Sequence, residues 1–198
     1  MNLTELYREF LAGENRKEDV SMSLESARAI TAHLDAEQPA NVLDLGAGWT
    51  SWFLRTWHHA AHGDQPKGLR ASAPPAGLVV TTDKDETWLA QTKAELEARG
   101  LPVENFYRHT DFAHNTGARL GQYEAIVLDL GKATGRHLEL PLIDRCMAPS
   151  GILFVDDWQF EHHKLPCVEW FTENGWTWET LPNTRDKFGR FMAAAWRA

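Results

Sequence analysis

Apolar and polar positions follow two different periods along this chain. Residues 3–12 and 22–36 repeat with a helical spacing, and the second stretch places Leu24, Ala27, Ile30 and Leu34 on one face. Short apolar runs come next: NVLDL (41–45), LVVTTD (78–83), a weaker VENFYRHTD (103–111), YEAIVLDL (123–130) and GILFVDDW (151–158), each predicted as a strand. The segments between them have helical patterns. TSWFLRTWHHA spans 50–60, and DETWLAQTKAELEARG (85–100) turns Trp88, Leu89, Thr92 and Leu96 inward and stops at Gly100. Residues 136–148 form a helix that Pro141 either starts or kinks, and HKLPCVEWFTENG (163–175) forms another. WTWETLPNTRDKFGRFMAAAW (176–196) reads as two final strands joined by a polar turn. HGDQPKGLRASAPPAG (62–77), rich in Gly, Pro and Ala, is expected as a long surface loop.

Strands alternating with helices imply a mostly parallel α/β sheet covered on both faces. Right-handed crossovers then bring the C-terminal ends of the strands to one edge, where ligands bind in such sheets. Asp44, Asp83, Asp111, Asp129, Asp156 and Asp157 all fall at or just past predicted strand ends. One acid there is an ordinary wet loop residue; their convergence on one edge points to a ligand site. The 198 residues suit one domain, with 1–36 as N-terminal helices and 37–198 as the core.

Composition narrows the classes of partner. A formal net charge of -8 and the lack of any long basic stretch argue against nucleic acid. No apolar run approaches the ~20 residues of a membrane span, and the mixed-charge amphipathic N-terminus does not read as a secretory signal. Cys146 and Cys167 lack CxxC spacing, which suggests reduced thiols in a cytoplasmic protein. The nine tryptophans and the N-terminal helix are compatible with a homodimer, and some of the indoles with a flat ligand pocket.

The glycine run after the first strand, Gly46-Ala47-Gly48-Trp49-Thr50-Ser51, has a serine where the dinucleotide signature has its third glycine. Asp44, two residues before the first glycine, would repel a pyrophosphate at close range. It suits a cationic ligand without phosphate, such as S-adenosylmethionine, with its sulfonium and α-amino groups. Gly46, Ala47 and Gly48 would let the methionine part approach bare backbone. Asp83 is placed to accept hydrogen bonds from both ribose hydroxyls. Asp111 either reaches the adenine amine or caps the segment that follows it.

These residues resemble the class I S-adenosylmethionine-dependent methyltransferases. VLDLGAG looks like their first motif, VVTTD their second, HTDF (with Asp111 and Phe112) their third and IVLDL their fourth. The resemblance covers about 22 to 198. It implies a Rossmann-like seven-stranded sheet in the order 3-2-1-4-5-7-6 with a C-terminal antiparallel hairpin, and a cofactor site at Asp44, Gly46, Ala47, Gly48, Asp83, Asp111, Phe112 and Asp129. A narrower resemblance, to the catechol and caffeoyl-CoA O-methyltransferases, rests on Asp129, Lys132 and the Asp156-Asp157 pair. It implies a divalent cation such as Mg2+ held by Asp129, Asp156 and Asp157, with Lys132 as the base. Asp157 departs from the asparagine of that pattern, and the tyrosine expected after the lysine is missing. Oxygen ligands of this kind select hard ions, which would hold adjacent hydroxyls and acidify one of them.

Other readings stay open. Asp156-Asp157 can cap the next helix, and Lys132 can be a plain loop lysine. His162 or His163 can act as a base without metal; side by side on a helix they diverge by about 100 degrees, so both do not serve one ion. Trp158 is a wall of the acceptor pocket or part of the core. The expected activity is methyl transfer to a small-molecule acceptor. An aminopropyl transferase, a non-catalytic S-adenosylmethionine-binding protein and a nicotinamide dehydrogenase are the competing classes, the last opposed by Asp44 and Ser51.

Overall fold

The computed structural model describes residues 1–13, 16–18, 21–63, 78–116 and 122–197. Strands β1 (Asn41–Leu45), β2 (Leu78–Asp83), β3 (Phe106–Arg108), β4 (Tyr123–Leu128) and β5 (Met147–Val155) run parallel. β7 (Met192–Arg197) pairs antiparallel with both β5 and β6 (Trp176–Leu181). The order is β3-β2-β1-β4-β5-β7-β6, the Rossmann-like seven-stranded sheet with a C-terminal hairpin expected from the sequence.

The two-residue period of a strand sorts its side chains between two cores. Leu43, Leu45, Val80, Ile126, Leu128 and Val155 face α6 (Leu140–Cys146) and α7 (Glu161–Glu173), which contribute Ile143, Cys146, Cys167 and Phe171. Val42, Val79, Ala125, Val127 and Phe154 face α1 (Leu3–Leu11), α2 (Leu24–Glu37) and α3 (Trp49–His62), which contribute Phe10, Ile30 and Phe53. Each such apolar side chain withdrawn from water contributes about 1.5–3 kcal/mol. This burial on both faces is why the central strands read as continuous apolar runs. α4 (Glu86–Ala98) starts at Asp85, whose carboxylate accepts from the backbone N–H groups of Thr87 and Trp88.

Several boundaries move from where the sequence puts them. The third strand shrinks to three residues: Asn105 adopts a left-handed φ of 64°, and His109–Asp111 form a short helical turn, α5. The helix expected over 136–148 divides into a 3-10 turn, Ala133–Glu139, and α6, with Pro141 in the first turn of α6 rather than at a kink. β5 begins at Met147, four residues early, through an irregularity opposite Tyr123. Gly151 is required there, because a Cβ would lie 2.6 Å from the Met147 side chain and 2.9 Å from the Tyr123 carbonyl. α3 runs on to His62, and the rest of the loop expected at 62–77, residues 64–77, lies outside the described residues. Cys146 and Cys167 are both buried, and no disulfide joins them.

Candidate functional site

The chain turns from β1 into α3 at Gly46-Ala47-Gly48. Gly46 has φ 129° and Gly48 φ 128°, a region other residues rarely enter. Their lack of a Cβ serves protein contacts as well as any ligand. A Cβ on Gly46 would sit 2.5 Å from the Asp129 carbonyl oxygen, and one on Gly48 would sit 3.2 Å from Trp88 Nε1. The indole of Trp88 donates to the Ala47 carbonyl at 2.7 Å.

Asp44 shares the face of Val42, so its carboxylate turns under α3. Oδ2 accepts from Ser51 Oγ at 2.6 Å and Thr81 Oγ1 at 3.1 Å, and Oδ1 is buried with no hydrogen-bond partner among the described residues. Thr81 Oγ1 in turn accepts from the buried Arg55 guanidinium. Burial pushes the Asp44 carboxyl up to about 6, against the hydrogen bonds from Ser51 and Thr81. Ser51, where a dinucleotide fold would carry glycine, is the residue that fixes Asp44.

Asp83 clasps the glycine turn. Oδ2 accepts from Ala47 N at 2.7 Å and Oδ1 from Asp85 N at 2.8 Å. Burial raises its pKa, and those backbone bonds oppose the rise. Each oxygen keeps a lone pair for a further donor. Beside it opens a cavity of about 280 Å3, bordered by Ala47, Gly48, Asp83, Trp88, Asp129 and Arg136. Phe10, Arg16 and Met22 of the N-terminal segment close its other side. The Arg16 guanidinium lies 4.0 Å from the Trp88 ring and 4.3 Å from the Phe10 ring, and pairs with Glu95.

Asp129, Asp156 and Asp157 converge past the ends of β4 and β5, with one carboxylate oxygen of each within 4.8 Å of the others. Asp157 holds a left-handed φ of 61° that turns the chain there. Asp156 is 5% exposed, and its pKa rises through burial and the neighbouring Asp129 and Asp157. Asp129 is raised for the same first reason, with Arg136 opposing. Arg136, on the 3-10 turn, lies among these acids: Nη2 is 2.7 Å from Asp129 Oδ1 and 3.2 Å from Asp157 Oδ2. The three acids are the hard-oxygen set a magnesium-class ion takes. With a guanidinium already against two of them, the donor set does not fit such an ion.

The other expected residues are distributed unevenly. Ala47, Gly48, Asp83 and Asp129 border the cavity, whereas Asp44 and Gly46 support it from behind. Asp111 is exposed, and Phe112 is fully buried beside Tyr123; neither borders the cavity. Lys132 is exposed at the start of the 3-10 turn, and His162 is exposed on α7 with its ring stacked on Phe160. His163 is buried; its Nε2 contacts the Asp156 carbonyl at 3.2 Å, and burial holds its pKa down to about 4. Trp158 belongs to the core, with Phe171 stacked on it. The Asp156-Asp157 pair does not cap α7, whose N-cap position is Phe160.

Two features escape sequence reasoning. One is Arg136. The other is a relay, buried at Thr82, His109 and Glu139 and exposed at Lys84, in which His109 Nδ1 meets Thr82 Oγ1 at 3.1 Å, His109 Nε2 meets Glu139 Oε2 at 2.7 Å, and Lys84 Nζ pairs with Glu139 Oε1 at 2.7 Å. Burial alone would raise the Glu139 pKa, but the bonds from His109 and Lys84 hold it below its ordinary value.

No protein-family model and no curated protein matches the sequence. Solved structures do match. An inferred caffeoyl-CoA O-methyltransferase from Staphylococcus aureus superposes with a TM-score of 0.70 at 14% identity, over 100% of this chain and 93% of that one. The O-methyltransferase TomG from Streptomyces achromogenes, involved in tomaymycin synthesis and solved with S-adenosylmethionine, gives 0.62 at 13% identity, over 98% and 86%. The Bacillus cereus O-methyltransferase solved with S-adenosylhomocysteine gives 0.64 at 14%, over 98% and 88%. The chain has the class I methyltransferase fold. In this methyltransferase fold the cavity at Gly48 and Asp83 lies where β1 separates β2 from β4, the switch point at which open α/β sheets take ligands.

Proposed function

We propose that the chain is an S-adenosylmethionine-dependent methyltransferase that alkylates an oxygen of a small molecule. The observation that carries this reading is the cavity bordered by Ala47, Gly48, Asp83 and Asp129 at the switch point of the sheet. The donor's ribose would hydrogen-bond to the open lone pairs of Asp83, with its methionine part along the glycine turn. No phosphate is needed there, and Asp83, bound to Ala47 N at the glycine turn, favours a cationic donor over a dinucleotide at that point. Lys132 and His162 are exposed and do not themselves line the cavity, so the proton of the acceptor hydroxyl is assigned to Asp129, a lining carboxylate not tied to the glycine turn as Asp83 is. The hydroxyl oxygen bonds to the sulfonium methyl as the carbon–sulfur bond breaks, and Asp129 takes the proton. S-adenosylhomocysteine and a methyl ether leave.

Transfer of a labelled methyl group to a panel of phenols, alcohols and amines tests the activity. Calorimetric titration with S-adenosylmethionine reports the donor site separately. The Asp129→Asn variant is expected to bind the donor within a few-fold of wild type and to lose about 100-fold or more in kcat. Unchanged turnover in that variant would remove Asp129 as the base, and absence of donor binding by wild type would remove the whole reading.

A further inference from the structure

Arg136 occupies the ground between the three acids at the ends of β4 and β5. Its side chain is 4% exposed, and one nitrogen, Nη2, serves both Asp129 and Asp157. The same nitrogen lies 3.3 Å from the Gly131 carbonyl, so the arginine is fixed to its own loop as well as to the acids. Nε and Nη1 are buried without a hydrogen-bond partner among the described residues, and the residue borders the cavity beside Asp129. Asp156, the third acid of the cluster, is also buried.

A divalent ion needs six or more oxygen ligands at about 2.0–2.6 Å. An ion drawing on Asp129 and Asp157 would compete for carboxylates that the guanidinium already holds, Asp129 through Oδ1 and Asp157 through Oδ2. It would also sit within a few ångströms of a fixed positive charge in a poorly solvated site. Moving Arg136 out of the way would uncover three carboxylates together and send a buried arginine past its own backbone anchor. The converse is equally physical. Without the guanidinium, three acids so close together repel one another and become a strong cation site.

We propose that Arg136 is the resident cation of this site and takes the place a divalent metal would fill, so that the carboxylate cluster binds no ion while the arginine is present. The unpartnered N–H groups of Arg136 are then donors for one oxygen of a ligand in the cavity. Resting on the methyltransferase reading, this makes the acceptor a molecule that needs only one hydroxyl at the reacting end. Two adjacent hydroxyls for chelation are not required.

Ion binding is measured without turnover, so the result stands whether or not the chain transfers methyl groups. Manganese(II) is titrated into the purified full-length protein, and the loss of the free-ion paramagnetic resonance signal is followed. Wild type and Arg136→Lys are expected to take up no ion at the cluster. Arg136→Met, which keeps the bulk and drops the charge, is expected to bind at least about 100-fold more tightly, and a further Asp156→Asn change should abolish the gain. Circular dichroism establishes that each variant is folded. Stoichiometric uptake by wild type that disappears on Asp156→Asn overturns the proposal without need of any arginine variant. A folded Arg136→Met protein that takes up no ion overturns it as well, because something other than the guanidinium would then keep the ion away. In the activity arm, a chelator should leave methyl transfer unchanged, and a monohydroxy phenol should serve as well as a vicinal diol.

Discussion

Gly46 carries two constraints that the glycine run alone does not separate. Its φ of 129° excludes ordinary side chains, and the Asp129 carbonyl lies where a Cβ would go. The turn therefore locks the end of β1 to the end of β4 before any ligand arrives. Gly46→Ala is expected to lose at least about 2 kcal/mol of stability, since strain and a backbone collision act together. Urea unfolding measures it, and a loss below about 0.5 kcal/mol would mean that the turn relaxes and the contact is not binding. At this scale the sequence was legible where chemistry sits on the chain itself: Asp83, Gly48 and Asp129 are readable as acids and glycines at strand ends. Arg136 was not, because a single arginine seven residues after Asp129 shows its role only when the 3-10 turn folds it back. The same holds for His109 and Glu139, thirty residues apart in sequence, whose contact joins two different crossovers.

At the scale of elements, α3 carries a pH-dependent liability. His58 lies on its buried side, 1% exposed, with Nε2 against the Ala40 carbonyl at 3.3 Å and Nδ1 without a hydrogen-bond partner among the described residues. Burial first, and then the neighbouring His62 and Arg55, hold its pKa down to about 4, against 6.5 in the unfolded chain, with the Ala40 carbonyl opposing. The fold thus prefers neutral His58, and between those values the unfolded chain binds more protons. Stability is fully present above 6.5 and is lost as pH falls towards 4. Asp44 acts in the opposite sense, since its carboxyl is raised to about 6. Its share is present below its unfolded value and is lost as pH climbs through 6, which flattens the profile of the whole chain. The His58 effect is therefore read as a difference. On going from pH 7 to pH 5, wild type should lose roughly 1–2 kcal/mol more than His58→Gln in urea unfolding, and parallel losses would show that His58 titrates normally in the fold. Elements themselves were legible where both faces are buried and the apolar run is unbroken, as in β1, β2 and β4. β3 and the start of β5 were not: the first bends away after three residues, and the second hides an irregularity that only pairing with Tyr123 reveals.

For the whole molecule, the decisive relation is between the sheet edge and the N-terminal segment. α1 is held by Tyr7 and Phe10 against Trp49 and Trp52, and Phe10, Arg16 and Met22 carry that packing over to the cavity. A ligand seated there would touch both the strand ends and the segment covering them, so it would stabilise the chain as a unit. At a donor concentration of about 100 Kd, linkage adds about 2.7 kcal/mol. A chain of this size gains about 2–4 °C per kcal/mol, so S-adenosylmethionine or S-adenosylhomocysteine should raise Tm by about 5–10 °C. NAD should not, because Asp44 and Asp83 disfavour its pyrophosphate at the glycine turn. Asp83→Ala should melt lower than wild type, having lost the clasp on Ala47 and Asp85, and should also lose most of the shift. Those two effects separate the structural part of Asp83 from its ligand part. A shift retained in Asp83→Ala would place the ribose elsewhere in the cavity, and a shift with NAD in place of S-adenosylmethionine would transfer the same cavity to a dinucleotide.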